Sequence, residues 1–213
     1  IQLITMIFFA AKEKTEDLFH QAMSFMAKKQ PKAAIPLFKK IAKQDPKNTD
    51  ALYNHGIALN QLKKYQDAIT CFDKVLDIDP KYIAAVNNRG ISLAEMGNTD
   101  DALEYYNKAI EINPKYAEAH YNKGVLYDRL LRHEDALQSL DEALKCDSGN
   151  VNTAFYRGIV FGKMKKHEQA LNCFENITRK HPKHMVAFFH KGIELAELGK
   201  HEKAIDIFDK LLQ

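Results

Sequence analysis

"NPKYAEAHYNKG" occupies residues 113–124, and close likenesses recur as "DPKNTDALYNHG" at 45–56, "DPKYIAAVNNRG" at 79–90 and "HPKHMVAFFHKG" at 181–192. Pro46, Pro80 and Pro114 are 34 residues apart, and Pro182 lies two such steps further on. The place between holds Ser148, in "CDSGNVNTAFYRG", which otherwise keeps the pattern. A constant period of this length marks a repeat architecture. Each unit is too small to bury a core alone and must stack on its neighbours.

Ending each unit two residues past its Pro gives an array over 15–213, divided 15–48, 49–82, 83–116, 117–150, 151–184 and 185–213. Each unit holds two apolar patterns of helical spacing. In the second unit Leu52, Gly56 and Leu59 share one helix face, and Ala68, Phe72 and Val75 share another. "LKKY" between them predicts a tight turn, and the Pro of "DIDP" stops the second helix. Gly56, Gly90, Gly124, Gly158 and Gly192 hold one column, with Ala22 in the first unit, and Ala34, Ala68, Ala102, Ala136, Ala170 and Ala204 hold another. Gly inside a helix costs about 1 kcal/mol relative to Ala. Five in register imply that a side chain there would force the paired helices apart. Phe38, Phe72, Tyr106, Leu140, Phe174 and Phe208 form a column of large residues, expected in the core.

The pattern L-x-x-x-G-x-x-L, then A-x-x-x-F, then P resembles the tetratricopeptide repeat (TPR) over nearly the whole chain. The resemblance implies an all-α fold: an α-solenoid of tandem helix-turn-helix repeats forming a right-handed superhelix, with the first helix of each unit lining a concave groove. Two departures stand out. The aromatic Trp that often opens the motif is absent, its place holding Leu18, Leu52, Val86, His120, Ala154 and Phe188. Pro36 falls inside the second helix of the first unit, which it is expected to delay or bend.

Residues 1–14, an apolar leader, are the one compositional break. "IQLITMIFFAA" is too short to span a bilayer and lacks the basic start of a secretory signal. It is expected to find a partner surface, and no transmembrane segment is read in the chain. The array stops inside the second helix of its sixth unit, at "IDIFDKLLQ". With both ends apolar, the leader is expected either to fold back onto the first units or to dock on another chain, a closed homodimer being the favoured form of self-association. A self-assembling structural module is an alternative function. The three cysteines, Cys71, Cys146 and Cys173, show no CxxC spacing. They fit small apolar packing in a reducing, cytoplasmic location better than a disulfide framework.

No G-x-x-x-x-G-K-[ST], G-x-G-x-x-G, H-E-x-x-H or G-x-S-x-G occurs. The protein is therefore expected to be no enzyme, with no catalytic residue, no metal ligands and no cofactor. His133, His167 and His201 repeat at the period, but equivalent residues of stacked units stand at least about 8–10 Å apart. That is too far to share one zinc ion bound at about 2 Å. Tyr65 holds the same place, which reads as a turn position accepting a flat ring, and His181 and His184 fall at a helix end and loop.

Charge is uneven. Residues 151–191 carry eight Lys/Arg against two acids, whereas 49–150 carry eleven against seventeen. A basic stretch over 157–191 offers polyanion binding as an alternative function. The absence of an aromatic ladder for stacking bases argues against nucleic acid.

The main expectation is a protein-interaction scaffold that binds an extended or helical segment of a partner protein in the groove. The first-helix residues not used in packing supply the candidate site: Tyr53, Asn54, Asn87, Asn88, Tyr121, Asn122, Arg129 and Tyr156. Asn54, Asn88 and Asn122 repeat at one place, where an amide offers both donor and acceptor to a peptide backbone. Some proteins of the resembled family hold a C-terminal carboxylate with a Lys/Asn/Lys/Arg clamp. The corresponding places hold Phe19, Met23, Asn54, Ala84 and Asn88, so that mode is not expected.

Overall fold

From the second unit onward, a helix begins at the first residue of every unit set by the 34-residue period. The computed structural model describes the backbone of residues 2–212 and the side chains of residues 15–212. Twelve helices and no strand are found among the described residues. They divide into two compact units, Ile1–Asn113 and Pro114–Gln213. The first contains α1 (Gln2–Ala27), α2 (Pro31–Gln44), α3 (Thr49–Gln61), α4 (Tyr65–Ile78), α5 (Ile83–Glu95) and α6 (Thr99–Ile112). The second contains α7 (Ala117–Arg129), α8 (His133–Cys146), α9 (Val151–Lys163), α10 (His167–Lys180), α11 (Met185–Glu197) and α12 (His201–Leu212). Within each unit consecutive helices pack in tandem pairs.

The punctuation follows from named side chains. The Asn48 and Asn150 carboxamides cap α3 and α9 by accepting from the amides of Ala51 and Thr153, both at 2.9 Å. His184 caps α11 in the same way through Nδ1. Asp79 Oδ1 accepts from the Lys81 amide at 2.9 Å, an Asx turn across Pro80. Inside each pair the turn is closed by a residue of positive φ: Lys29, Lys63, Gly97, Leu131, Lys165 and Gly199, again 34 apart. At the α3–α4 turn the Lys63 amide reaches Asn60 O and the Lys64 amide reaches Leu59 O, both at 2.9 Å. This is the Schellman arrangement, which uses carbonyls left open at a helix end.

α1 continues through the leader into the first repeat helix as one helix. The leader's side chains lie outside the described residues, and so does the partner surface expected for them. The expected delay of α2 at Pro36 does not occur: the helix starts at Pro31, whose missing amide suits the first helical position, and runs 14 residues like α4 and α6. Pro36 and Lys32 are both exposed, so the carbonyl that loses its amide partner can be hydrated.

The core lies between paired helices. Phe38 and Phe72 in the first unit and Leu140 and Phe174 in the second are fully buried, and Tyr106 nearly so. On the outer side an ion pair of constant spacing, sixteen residues, ties α4 to α5, α8 to α9 and α10 to α11: Arg89–Asp73 at 2.6 Å, Arg157–Asp141 at 3.0 Å and Lys191–Glu175 at 3.3 Å.

Candidate binding face of the first helices

In the first unit, α3 and α5 present Tyr53, Asn54 and Asn88, all half-buried. The Asn54 carboxamide donates from Nδ2 to Asp50 O, one helical turn back, at 2.8 Å. Asn88 Nδ2 donates to Ala84 O at 2.9 Å and to the Tyr53 hydroxyl at 3.0 Å, which joins the two helices. A second link is the Ser92 hydroxyl, buried, donating to Asn60 Oδ1 at 2.8 Å. The Asn side chains are thus fixed by their own helices: both amide hydrogens of Asn88 and one of Asn54 are engaged, and their carbonyl oxygens are acceptors they can offer.

Asn87 departs from expectation. It is 1 % exposed and belongs to the core side of α5. The reason is angular: a one-residue step rotates a side chain by about 100° around a helix, which carries Asn87 off the face that holds Asn88.

In the second unit Tyr121, Asn122 and Tyr156 are half-buried and Arg129 is exposed. The Tyr121 and Tyr156 rings meet edge-on, 6.0 Å between centroids. Beside them is a centre that the periodic pattern did not indicate. Asp128, 3 % exposed, accepts from the Tyr156 hydroxyl at 2.7 Å and from Lys163 Nζ at 2.6 Å, and its other oxygen meets His133 Nδ1 at 3.0 Å. Burial alone would raise the Asp128 carboxyl. The hydrogen bonds from Lys163 and Tyr156, with the charges of Lys163 and His133, outweigh it and hold the group below the ordinary carboxylate range. Glu194, also buried, meets His167 Nδ1 at 2.8 Å. Gly162 leaves room for it: a Cβ there would stand 2.7 Å from Glu194 Oε1. His133 and His167, the repeating ring position, are therefore first residues of second helices that pair with buried carboxylates.

Three of the eight cations of 157–191 are used inside the second unit: Arg157 on Asp141, Lys163 on Asp128 and Lys191 on Glu175. This weakens a polyanion site there. Among the described residues no three His, Cys, Asp or Glu side chains converge as a metal site. Burial pushes the Cys71 thiol up to about 11 and raises that of Cys173, so both stay protonated and poorly nucleophilic near neutral pH. No described helix is long and apolar enough to cross a membrane.

Comparison with known proteins agrees with this architecture. A family model described as tetratricopeptide repeat matches residues 87–151 and 157–213, and another of the same description matches 48–115. A model described as anaphase-promoting complex, cyclosome, subunit 3 matches residues 4–75. No curated protein matches the chain. Among solved structures, a tetratricopeptide repeat protein from Parabacteroides merdae is 23 % identical with a TM-score of 0.71, covering 94 % of this chain and 79 % of its own. A thermophilic TPR protein of Thermus thermophilus is 19 % identical with a TM-score of 0.73, covering 85 % and 99 %. YrrB, described as a TPR protein with an unusual peptide-binding site, is 22 % identical with a TM-score of 0.62, covering 82 % and 90 %. At these identities the structures establish the fold, while the repeat model covers more than half of the chain: this protein belongs to the tetratricopeptide repeat family, a family of protein-interaction scaffolds.

Proposed function

We propose that the protein is a non-catalytic scaffold that binds an extended or helical segment of a partner protein along the faces of its first helices. The observation that carries this is the state of Asn54 and Asn88. Each is half-buried, repeated at the period, and held by its own helix one turn back. A pre-set polar side chain loses little freedom when a partner arrives, which favours binding. Asn122 holds the same place in the second unit. The peptide-binding site named for YrrB, a protein of the same fold, supports the assignment. A cytoplasmic location is part of the proposal, supported by three cysteines that are all free thiols.

Changing Asn54, Asn88 and Asn122 together to Ala tests the proposal. Partners captured from native lysate by the wild-type protein should be lost or weakened about tenfold, with helicity by circular dichroism unchanged. Capture of the same partners with equal affinity would refute it.

A further inference from the structure

In the first unit the repeat portions of the first helices are poor in cations, although the leader part of α1 carries Lys12 and Lys14. Residues 15–27 of α1 contain no Lys or Arg, α3 contains none, and the single one in α5, Arg89, is turned to the outer side on Asp73. The same helices carry Glu16, Asp17, Asp50 and Glu95. In the second unit α11 likewise carries a single cation, Lys191, on Glu175, whereas α7 and α9 add Arg129 and Lys163 beyond the outer-side position. Three of the four amide hydrogens of Asn54 and Asn88 are committed to Asp50 O, Ala84 O and Tyr53. What this face presents to a visitor is therefore weighted to acceptors: carboxylates and amide carbonyls.

The start of that face is a cleft of about 180 Å³ between α1 and the first turn of α3, lined by Thr15, Glu16, Phe19, His20, Asn48 and Asp50. Its volume is below that of typical small-molecule sites and suits one long side chain. Glu16 and Asp50 are exposed, and neither makes an ion pair among the described residues, although Asp50 Oδ1 accepts a long hydrogen bond from the Tyr82 hydroxyl at 3.4 Å. Phe19 supplies an aromatic wall, and a cation beside an aromatic face gains further attraction.

We infer that the segment bound by the first unit carries Lys or Arg, with one cationic side chain seated between Glu16 and Asp50 on Phe19. The inference rests on the binding face proposed above and adds the chemistry of its occupant. Overall charge does not explain such a preference, because the chain is net positive, +3, and non-specific attraction would favour an acidic partner.

The test uses two fluorescein-labelled peptides of one Gly/Ser/Leu background, one with lysines and one with glutamates at the same places, read by fluorescence anisotropy on the full chain. The lysine peptide should bind about tenfold more tightly than the glutamate peptide. The double change Glu16→Gln with Asp50→Asn should abolish that preference, and Asn54→Ala with Asn88→Ala should weaken both peptides alike, all at unchanged helicity. Equal affinity for the two peptides, or a preference that survives in the Gln/Asn variant, overturns the cation inference while the binding face stands. Calcium displacing the lysine peptide would assign the carboxylates to a metal ion instead and also overturns it. Indifference of both peptides to the Asn changes refutes the binding face itself, and failure of the wild type to bind either peptide refutes both.

Discussion

Gly56 stands against the ring of Phe72, sixteen residues further on, so closely that a Cβ on Gly56 would lie 2.5 Å from Phe72 Cε1. The relationship repeats as Gly90 on Tyr106 at 2.8 Å, Gly158 on Phe174 at 2.8 Å and Gly192 on Phe208 at 2.6 Å. It is the contact that lets each helix pair close.

Gly56→Ala is therefore expected to destabilise the protein, although Ala is the better helix former. Phe72 is fully buried and cannot swing aside. Overpacking of this kind costs about 1–3 kcal/mol, against about 1 kcal/mol regained in helix propensity. A fall in the midpoint of chemical unfolding should follow, and Phe72→Leu in the Gly56→Ala background should recover part of it. Unchanged stability of the single variant would contradict the contact.

The α7–α8 turn makes the opposite kind of prediction. Leu131 has φ of 60° and is 78 % exposed. A left-handed conformation costs a side-chain-bearing residue about 1 kcal/mol or more, and little packing repays it here. Leu131→Gly should raise stability by about 1 kcal/mol, as Gly97 and Gly199 already do at the same place in their own repeats. Thermal and urea unfolding both read this out, and a loss of stability would show that Leu131 makes a contact its exposure conceals.

His55 sets an acid limit for the first unit. It occupies the place that Arg89, Arg157 and Lys191 hold elsewhere, but the residue sixteen before it is Lys39 rather than an acid. Burial first, then Lys39 and Lys74 against the weaker pull of Asp67, drives the imidazole down to about 4. Its Nδ1 sits 3.4 Å from Cys71 Sγ. A lowered histidine favours the neutral form in the fold. Below the ordinary value of 6.5 the unfolded chain takes up the proton more readily, so stability falls as pH drops from 6.5 to about 4. The loss amounts to about 3 kcal/mol for this one group. Lys39→Glu restores the ion-pair pattern and should raise the His55 titration midpoint, measured by NMR, and flatten the acid loss. A wild-type midpoint at or above 6.5 would refute the assignment.

The period, the helix pairs and the Gly and Phe columns were legible in the sequence. They depend on spacings of one helical turn and one repeat, which recur whatever the neighbours are. The helix-start register could be read from Pro46, Pro80, Pro114 and Pro182 for the same reason. The tertiary structure alone decided the rest. The burial of Asn87 beside half-exposed Asn88 depends on how α5 is rotated against its neighbours. The left-handed turn at Leu131 could have been suspected only from Gly97 and Gly199 in the same column. The commitment of Asn88 to Tyr53, and of Tyr156 and Lys163 to Asp128, joins residues 28 to 35 apart in the chain. Such pairings are set by the distance and tilt between successive first helices. Local propensity specifies each helix but carries no information about which polar side chains meet when the helices stack.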